Sequence, residues 1–180
     1  MAGTAAHFRF QAPGSVNNTN NWLALEDTDL SGINDDQVIL LRYLVQADGS
    51  GVDFTKFCQL EYDIVGDANP AVVITNASSH VVAVSNAADS RTGTTVSMLT
   101  PGTGSYSTID SVNTTGNNTI MANQTLPANE YVEMVTSFKL VPDDFSGTGS
   151  LDFTLTNVGT HSVTARIDYV FPLKRRIIII

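Results

Sequence analysis

The sequence predicts an all-β protein, most simply an antiparallel β-sandwich of the immunoglobulin-like or jelly-roll-like kind with extended N- and C-terminal arms. Apolar and polar residues alternate with a period of two along much of the chain, which is the pattern of half-buried strands. Turn-forming residues separate these runs, and no run shows helical periodicity. The acidic residues are 14 Asp and only 4 Glu, a bias away from helix formers. A closed β-barrel fits the same pattern.

The clearest strands are predicted in the second half of the chain, at residues 132–140, 149–157 and 163–171, each half-buried. The last two are separated only by residues 158–161 and are expected to form a hairpin. The run at residues 37–46 is apolar on both faces. It therefore predicts a central strand, with Arg42 reaching an edge or a carboxylate. Weaker strand patterns lie at residues 7–10, 22–26, 57–65, 72–75, 81–84, 94–99 and 119–122.

No change in composition divides these strands, so we expect a single sandwich domain over residues 22–172. Residues 1–21 are predicted to form an N-terminal strand followed by an arm or loop rich in Gly and Asn. Residues 100–124 have the weakest strand pattern and are expected to leave the sandwich as a long excursion. Residues 173–180 are predicted to form a basic and apolar arm.

The end of the sequence differs from the rest, because three of the nine basic residues stand together and four isoleucines follow them. An exposed β-prone segment of this kind would aggregate, so we expect it to dock on its own domain or on a neighbour. A strand near the other terminus also combines apolar and basic groups. The predicted interface residues are His7, Phe8, Arg9, Phe10, Gln11, Lys174, Arg175, Arg176, Ile177, Ile178, Ile179 and Ile180.

Composition argues against two classes of partner. Nine basic residues against 18 acidic ones give a net charge of −9, the wrong sign for binding a phosphate backbone, so no nucleic acid is expected. No apolar run approaches the roughly 18 residues that span a bilayer, so no membrane is expected either. The first residues lack a signal-peptide pattern, and we therefore expect synthesis in a cytoplasm.

Residues capable of catalysis or metal binding occur without the spacing that these functions require. Cys58 falls in a predicted strand, where a buried thiol is the expected state. Residues 27–32 begin like a calcium loop, but the twelfth position is Val38 instead of Glu. The three histidines, which lie in no nucleophile motif, are His7, His80 and His161. We predict no catalytic residue, no metal site and no cofactor, and the protein is not expected to be an enzyme.

Several stretches of the chain together have a familiar pattern. They are Phe8-Arg-Phe10, Trp22-Leu-Ala-Leu-Glu26-Asp-Thr28, Leu41-Arg-Tyr-Leu-Val-Gln46, Gln59-Leu-Glu-Tyr62, Asn129-Glu-Tyr-Val-Glu133 and Leu151-Asp-Phe-Thr-Leu-Thr-Asn157. In this succession the chain resembles virion structural proteins of tailed bacteriophages. The likeness spans most of the sequence and is weakest at residues 94–124.

The resemblance implies an immunoglobulin-like or jelly-roll-like sandwich that is part of the virus particle. Because the chain is small and acidic and lacks enzyme motifs, a capsid decoration, or cement, protein is the favoured role, located on the capsid surface. Its expected partners are the major capsid protein and further copies of itself, as a homotrimer or another homo-oligomer. Such a protein adds contacts to the expanded shell and stabilises it by mass action.

Two other functions use the same fold. A tail, neck or fibre component would use the sandwich as a spacer or adaptor. A carbohydrate-binding module would present aromatic rings to sugars, with Trp22, Tyr106 and Tyr131 as the candidates.

Overall fold

The computed structural model describes residues 3–34, 36–54, 58–86, 97–109, 112–113, 124–141, 145 and 147–171, with backbone only at 53–54 and 112–113. These residues form thirteen strands and no helix. Accordingly, no helix in the described ranges is long and apolar enough to cross a membrane.

The strands differ widely in length. They are β1 (Gly3–Gln11), β2 (Val38–Ala47), β3 (Val52–Phe54), β4 (Leu60–Ile64), β5 (Val72–Val73), β6 (Val81–Ala83), β7 (Ser105–Tyr106), β8 (Val112–Asn113), β9 (Gln124–Leu126), β10 (Glu130–Leu140), β11 (Gly147–Leu155), β12 (Gly159–His161) and β13 (Ala165–Phe171).

Two sheets form the body of the molecule, and the all-β sandwich predicted from the sequence is confirmed. The first sheet has the order β12-β1-β2-β10-β6, and β7 and β8 pair with β10 as well. The second has the order β13-β11-β4-β5, while β3 and β9 form a separate pair. Most pairs are antiparallel, but β12 runs parallel to β1, and β7 and β8 run parallel to β10.

The main core lies between the two sheets. Alternate residues of β2 face it, as the period of a strand requires. The residues of β2 in this core are Ile39, Leu41, Tyr43, Val45 and Ala47. The Tyr43 hydroxyl joins the two sheets, because it donates to the carbonyl of Phe153 at 2.5 Å and accepts the amide of Ala165 at 2.8 Å. Burial raises the pKa of this hydroxyl above its ordinary value.

The prediction that β2 is a central strand covered on both faces is confirmed, whereas the prediction of a half-exposed β10 is wrong. Nearly all of β10 is buried, including the polar residues Glu133, Thr136 and Ser137. Two segments, which we call the cover segments (residues 12–27 and 97–107), pack against this sheet. The first also runs along β1, where the amides of Leu23 and Asp27 donate to the carbonyls of Phe10 and Phe8. Val16 from the first packs on Leu40, and Leu99 from the second packs on Leu44. Alternation cannot reveal such a cover, because it depends on distant parts of the chain.

Other differences concern the connections. Residues 22–26 form no strand, because Trp22 makes only an isolated bridge to Gln11. β11 and β13 pair as predicted, but the link between them carries β12, which joins the first sheet beside β1. Two pieces of the predicted excursion, β7 and β8, pair with β10. The predicted strand at 119–122 and residues 94–96 lie outside the described residues, and 97–99 are not in a strand.

Candidate functional site

The N-terminal residues predicted to form an interface lie inside the first sheet. β1 runs between β12 and β2, and Phe8 and Phe10 belong to the main core. Gln11 is also buried, and its amide group donates to backbone carbonyls of the first cover segment. Only His7 and Arg9 of these five have partly exposed side chains. An extended arm is therefore not what this stretch forms, and its role in an interface stays a prediction.

The second predicted interface lies outside the described residues. Those residues end at Phe171, and Lys174 to Ile180 follow nearby in the sequence. Their role also stays a prediction. What the structure does show is the place from which they leave, namely the end of β13 at one edge of the second sheet.

A buried ion pair fixes the second cover segment on the first sheet. Glu133 on β10 accepts a hydrogen bond from Arg42 Nη1 on β2 at 2.5 Å, and both side chains are fully buried. The other Glu133 oxygen accepts the amides of Met98 and Leu99 at 2.7 and 2.8 Å and the hydroxyl of Ser97 at 2.8 Å. The sequence predicted that Arg42 reaches either an edge or a carboxylate. Glu133 is that carboxylate.

The same arginine reaches the first cover segment. Arg42 Nη2 donates to the carbonyl of Val16, whose side chain packs on the sheet. The buried Arg42–Glu133 pair thus connects β2, β10 and both cover segments, the first through Arg42 and the second through Glu133. A buried charge without a partner is costly, so the loss of one of these contacts would destabilise the others.

Two further carboxylates hold the cover at β1. Asp27 accepts the amide of Phe8 at 2.8 Å and contacts His7 Nδ1 at 2.7 Å. Glu26 accepts the amide of Thr100 with both oxygens, at 2.9 and 3.0 Å. Asp27 has a positive φ of 53°, a conformation that Asp tolerates better than most residues. These contacts join both cover segments to the first strand.

Side chains of His7, Glu26 and Asp27 lie close enough to consider as cation ligands, since one ligand atom of each lies within 4.8 Å of the others. Three of the four carboxylate oxygens already accept backbone amides. The geometry is therefore explained by attachment of the cover segments. Of the calcium-like loop at residues 27–32, only Asp27 takes part.

The aromatic residues considered for sugar binding do not form an open platform. The Arg9 guanidinium lies 4.3 Å from the centre of the Trp22 ring and occupies one side of it. Tyr131 is 6% exposed, and Tyr106 packs against it edge to face at 5.5 Å. Stacking of a sugar requires an open ring face, so this arrangement does not favour a carbohydrate site.

Cys58 and two histidines have structural partners. Cys58 is buried against Met134, and burial raises the pKa of its thiol well above the ordinary value. The sequence predicted a buried thiol here, and a thiol of this kind is inert. His161 Nε2 accepts the amide of Leu155 at 3.0 Å, and burial lowers the pKa of its imidazole. His80 Nδ1 lies 2.8 Å from the Ser79 hydroxyl.

A cavity of about 540 Å³ lies beside β5, and sequence reasoning did not predict it. Its volume is within the range of ligand pockets. Its apolar lining includes Ile64, Val72 and Val73, and its acidic lining includes Asp63 and Asp67. No single sequence pattern could reveal it, because residues 62–73 and 79–80 are brought together by the turn between β5 and β6.

Comparison of the chain with protein-family models, with curated proteins and with solved structures gives no significant match, so its function is proposed from its own residues and contacts.

Proposed function

We propose that this protein is a structural component of a tailed-bacteriophage virion, which binds the outside of the capsid shell as a decoration, or cement, protein. The resemblance of six sequence stretches supports the proposal, and so does the all-β sandwich that this resemblance implies. The proposed partners are the major capsid protein and further copies of the chain.

The observation that carries the proposal is the covered and fixed first sheet. The Arg42–Glu133 pair is fully buried, and it holds both cover segments on a sheet that is already packed on its other side. Such a body is formed before it meets a partner. Binding then loses less free energy to the ordering of loops, which suits a protein that adds contacts to an assembled shell.

Charge distribution supports a specialised attachment segment. The chain has a net charge of −9, yet Lys174, Arg175 and Arg176 are consecutive and precede four isoleucines. We propose that this segment contacts the shell, where apolar side chains can be buried and basic groups can pair with carboxylates. An acidic body keeps the unattached protein soluble.

Stabilisation follows from mass action. If the binding surface exists only on the expanded shell, each bound copy lowers the free energy of that state and leaves the unexpanded state unchanged. The effect is about 2.7 kcal/mol per site at a free concentration of 100 times the Kd. Summed over a symmetric shell, this resists contraction and rupture.

Copy number in purified particles tests the proposal. Quantitative mass spectrometry against the major capsid protein should give on the order of hundreds of copies, as the symmetry of a shell requires. A count of a dozen or fewer would instead support a neck or tail component. Absence from particles would refute both.

Reconstitution tests the attachment segment separately. Purified protein should bind expanded particles that lack it and should not bind unexpanded ones. Lys174→Glu/Arg175→Glu/Arg176→Glu should lose this binding, while circular dichroism should show that the sandwich stays folded. Equal binding of the variant and the wild type would exclude the segment from the contact.

A further inference from the structure

The cavity beside β5 and the sequence after β13 have complementary chemistry. Residues 174–180, here called the basic–apolar segment, contain three positive charges and then four β-branched apolar residues. The cavity combines two carboxylates with an apolar wall. Neither feature is used by the contacts described above for the first sheet.

The wall of the cavity is open and apolar on the side of β5. Val72 lines the cavity and is 45% exposed, which places it in the small group of large apolar side chains that remain exposed in the described residues. Val73 also lines the cavity and is partly exposed. β5 is also the last strand of the second sheet, and the carbonyl of Val73 already accepts the Ser78 hydroxyl at 3.3 Å, so an occupant would be held there by side-chain contacts.

The acidic side of the cavity is formed by Asp63 and Asp67, which are both exposed. Among the described residues that line the cavity there is no Lys or Arg, and His80 supplies the one imidazole. Asp67 accepts the backbone amide of Asn69 at 3.0 Å, which fixes its position in the turn after β4. A basic and apolar occupant fits this combination, because its charges would meet the carboxylates and its side chains would cover the valines.

The described chain ends close to this cavity. β13 and β4 are both antiparallel to β11, so Phe171 leaves the sheet at the same end as the turn after Ile64. The Phe171 ring lies 6.0 Å from that of Phe145, and the Phe145 ring lies 5.4 Å from that of the lining residue His80. These neighbouring rings lead from the end of β13 to the lining of the cavity.

The sequence after Phe171 is long enough to reach it. Nine residues follow Phe171, and an extended chain of that length spans about 30 Å. β5 is three strands away from β13, which corresponds to about 14 Å across the sheet. A tether of this length keeps the segment at an effective concentration on the order of millimolar, well above that of a second copy in dilute solution.

We propose that the basic–apolar segment docks in the cavity beside β5 of its own chain, with its basic residues beside Asp63 and Asp67 and its isoleucines on the exposed valines. The docked form covers an aggregation-prone sequence while the protein is free. This inference does not depend on the proposed function. If the segment also contacts a shell, the shell competes with the cavity for it.

Limited proteolysis of the full chain tests the docking. Trypsin cleaves after Lys174, Arg175 and Arg176, and docking should protect these bonds. Asp63→Lys/Asp67→Lys should release the segment and raise the cleavage rate at these bonds by about tenfold, because cleavage follows the population of the open form. Mass spectrometry of the intact chain follows the loss of the isoleucines.

The matched control changes the same charge elsewhere. Asp29→Lys/Asp48→Lys replaces two exposed aspartates that do not line the cavity, and Asp48, like Asp67, accepts an amide within its own turn. Its cleavage rate should equal that of the wild type. Equal rates in all three proteins, or equal acceleration in both variants, would overturn the proposal.

A cysteine pair distinguishes the chain's own cavity from that of a second copy. Val72→Cys/Ile178→Cys should form a disulfide within one monomer under mild oxidation. The native Cys58 should not compete, because it is buried and burial raises the pKa of its thiol. Leu25→Cys/Ile178→Cys is the control, because Leu25 is 72% exposed but lies in a cover segment. Disulfide-linked dimers, or equal cross-linking in the control, would overturn docking within the chain.

Discussion

Two ion pairs of the same chemical type occupy opposite environments in the two sheets. Arg42 and Glu133 are fully buried on the covered face of the first sheet. Arg166 and Asp152 are cross-strand partners on β13 and β11, joined by two hydrogen bonds of 2.7 and 3.0 Å, with side chains 39% and 26% exposed. The contact distances are similar, so the difference in their contribution to stability comes from burial.

The comparison shows what the cover segments do. A polar residue between apolar ones normally marks the solvent face of a strand, as it does for Arg166 and Asp152. Glu133 has the same sequence setting but lies under the second cover segment, whose amides it accepts. A charge placed there holds distant segments together, and its removal leaves several groups unsatisfied.

The largest effect is expected at the buried pair. Glu133→Ala leaves Arg42 without its carboxylate and the amides of Met98 and Leu99 without their acceptor. The free energy of unfolding should fall by about 3–5 kcal/mol, measured by urea denaturation. The double variant Arg42→Met/Glu133→Leu should be more stable than Glu133→Ala, because it leaves no buried charge. A loss below 1 kcal/mol for Glu133→Ala would contradict a buried pair.

The next effect is expected at the contact between the sheets. Tyr43→Phe keeps the ring but removes the hydroxyl that accepts the amide of Ala165 and donates to Phe153. The two buried backbone groups lose their partner, and the free energy of unfolding should fall by about 1–3 kcal/mol. Hydrogen exchange at the Ala165 amide should accelerate with it. Unchanged exchange would show that this amide has another acceptor.

A smaller effect is expected at the exposed pair. Asp152→Ala should lower the free energy of unfolding by less than about 1 kcal/mol, because solvent screens a pair of this exposure. The loss should shrink further in high salt. An effect as large as that of Glu133→Ala would show that burial does not explain the difference between the two pairs.

The smallest effect concerns pH. Burial lowers the pKa of His161, so the folded state binds this proton less readily than the unfolded state. Stability from this residue is present above the ordinary His pKa and is lost as the pH falls below it. The decrease in urea midpoint from pH 7 to pH 5.5 should be smaller in His161→Gln than in the wild type. An identical decrease would exclude this contribution.

The strands that the sequence predicted best are those whose pattern depends on local geometry. The alternation of β11 and β13 and the two-sided apolar pattern of β2 correctly identified these strands. β3, β7 and β9 contain two or three residues each and have no pattern of their own. The Trp22 stretch has a strand-like pattern but makes a single bridge to β1. The amides of Leu23 and Asp27 also donate to carbonyls of β1, and the Arg9 guanidinium lies over the Trp22 ring.

The sites were less predictable than the fold. The expectation that Arg42 could meet a carboxylate was correct, yet its identification as Glu133 required the register of β2 and β10. The N-terminal interface residues were selected for their position near a terminus, although Phe8 and Phe10 are needed in the core. The cavity beside β5 was not predicted, since its lining comes from two separate stretches.

The sequence alone determined the all-β class, the central place of β2, and the contrast between an acidic body and the basic–apolar segment. These depend on composition and on a two-residue period, both of which are local properties. Tertiary structure alone decided that Glu133 is buried, that β12 crosses to the first sheet, and that β13 ends near an acidic cavity. Burial and proximity depend on residues far apart in the chain, and no local pattern records them.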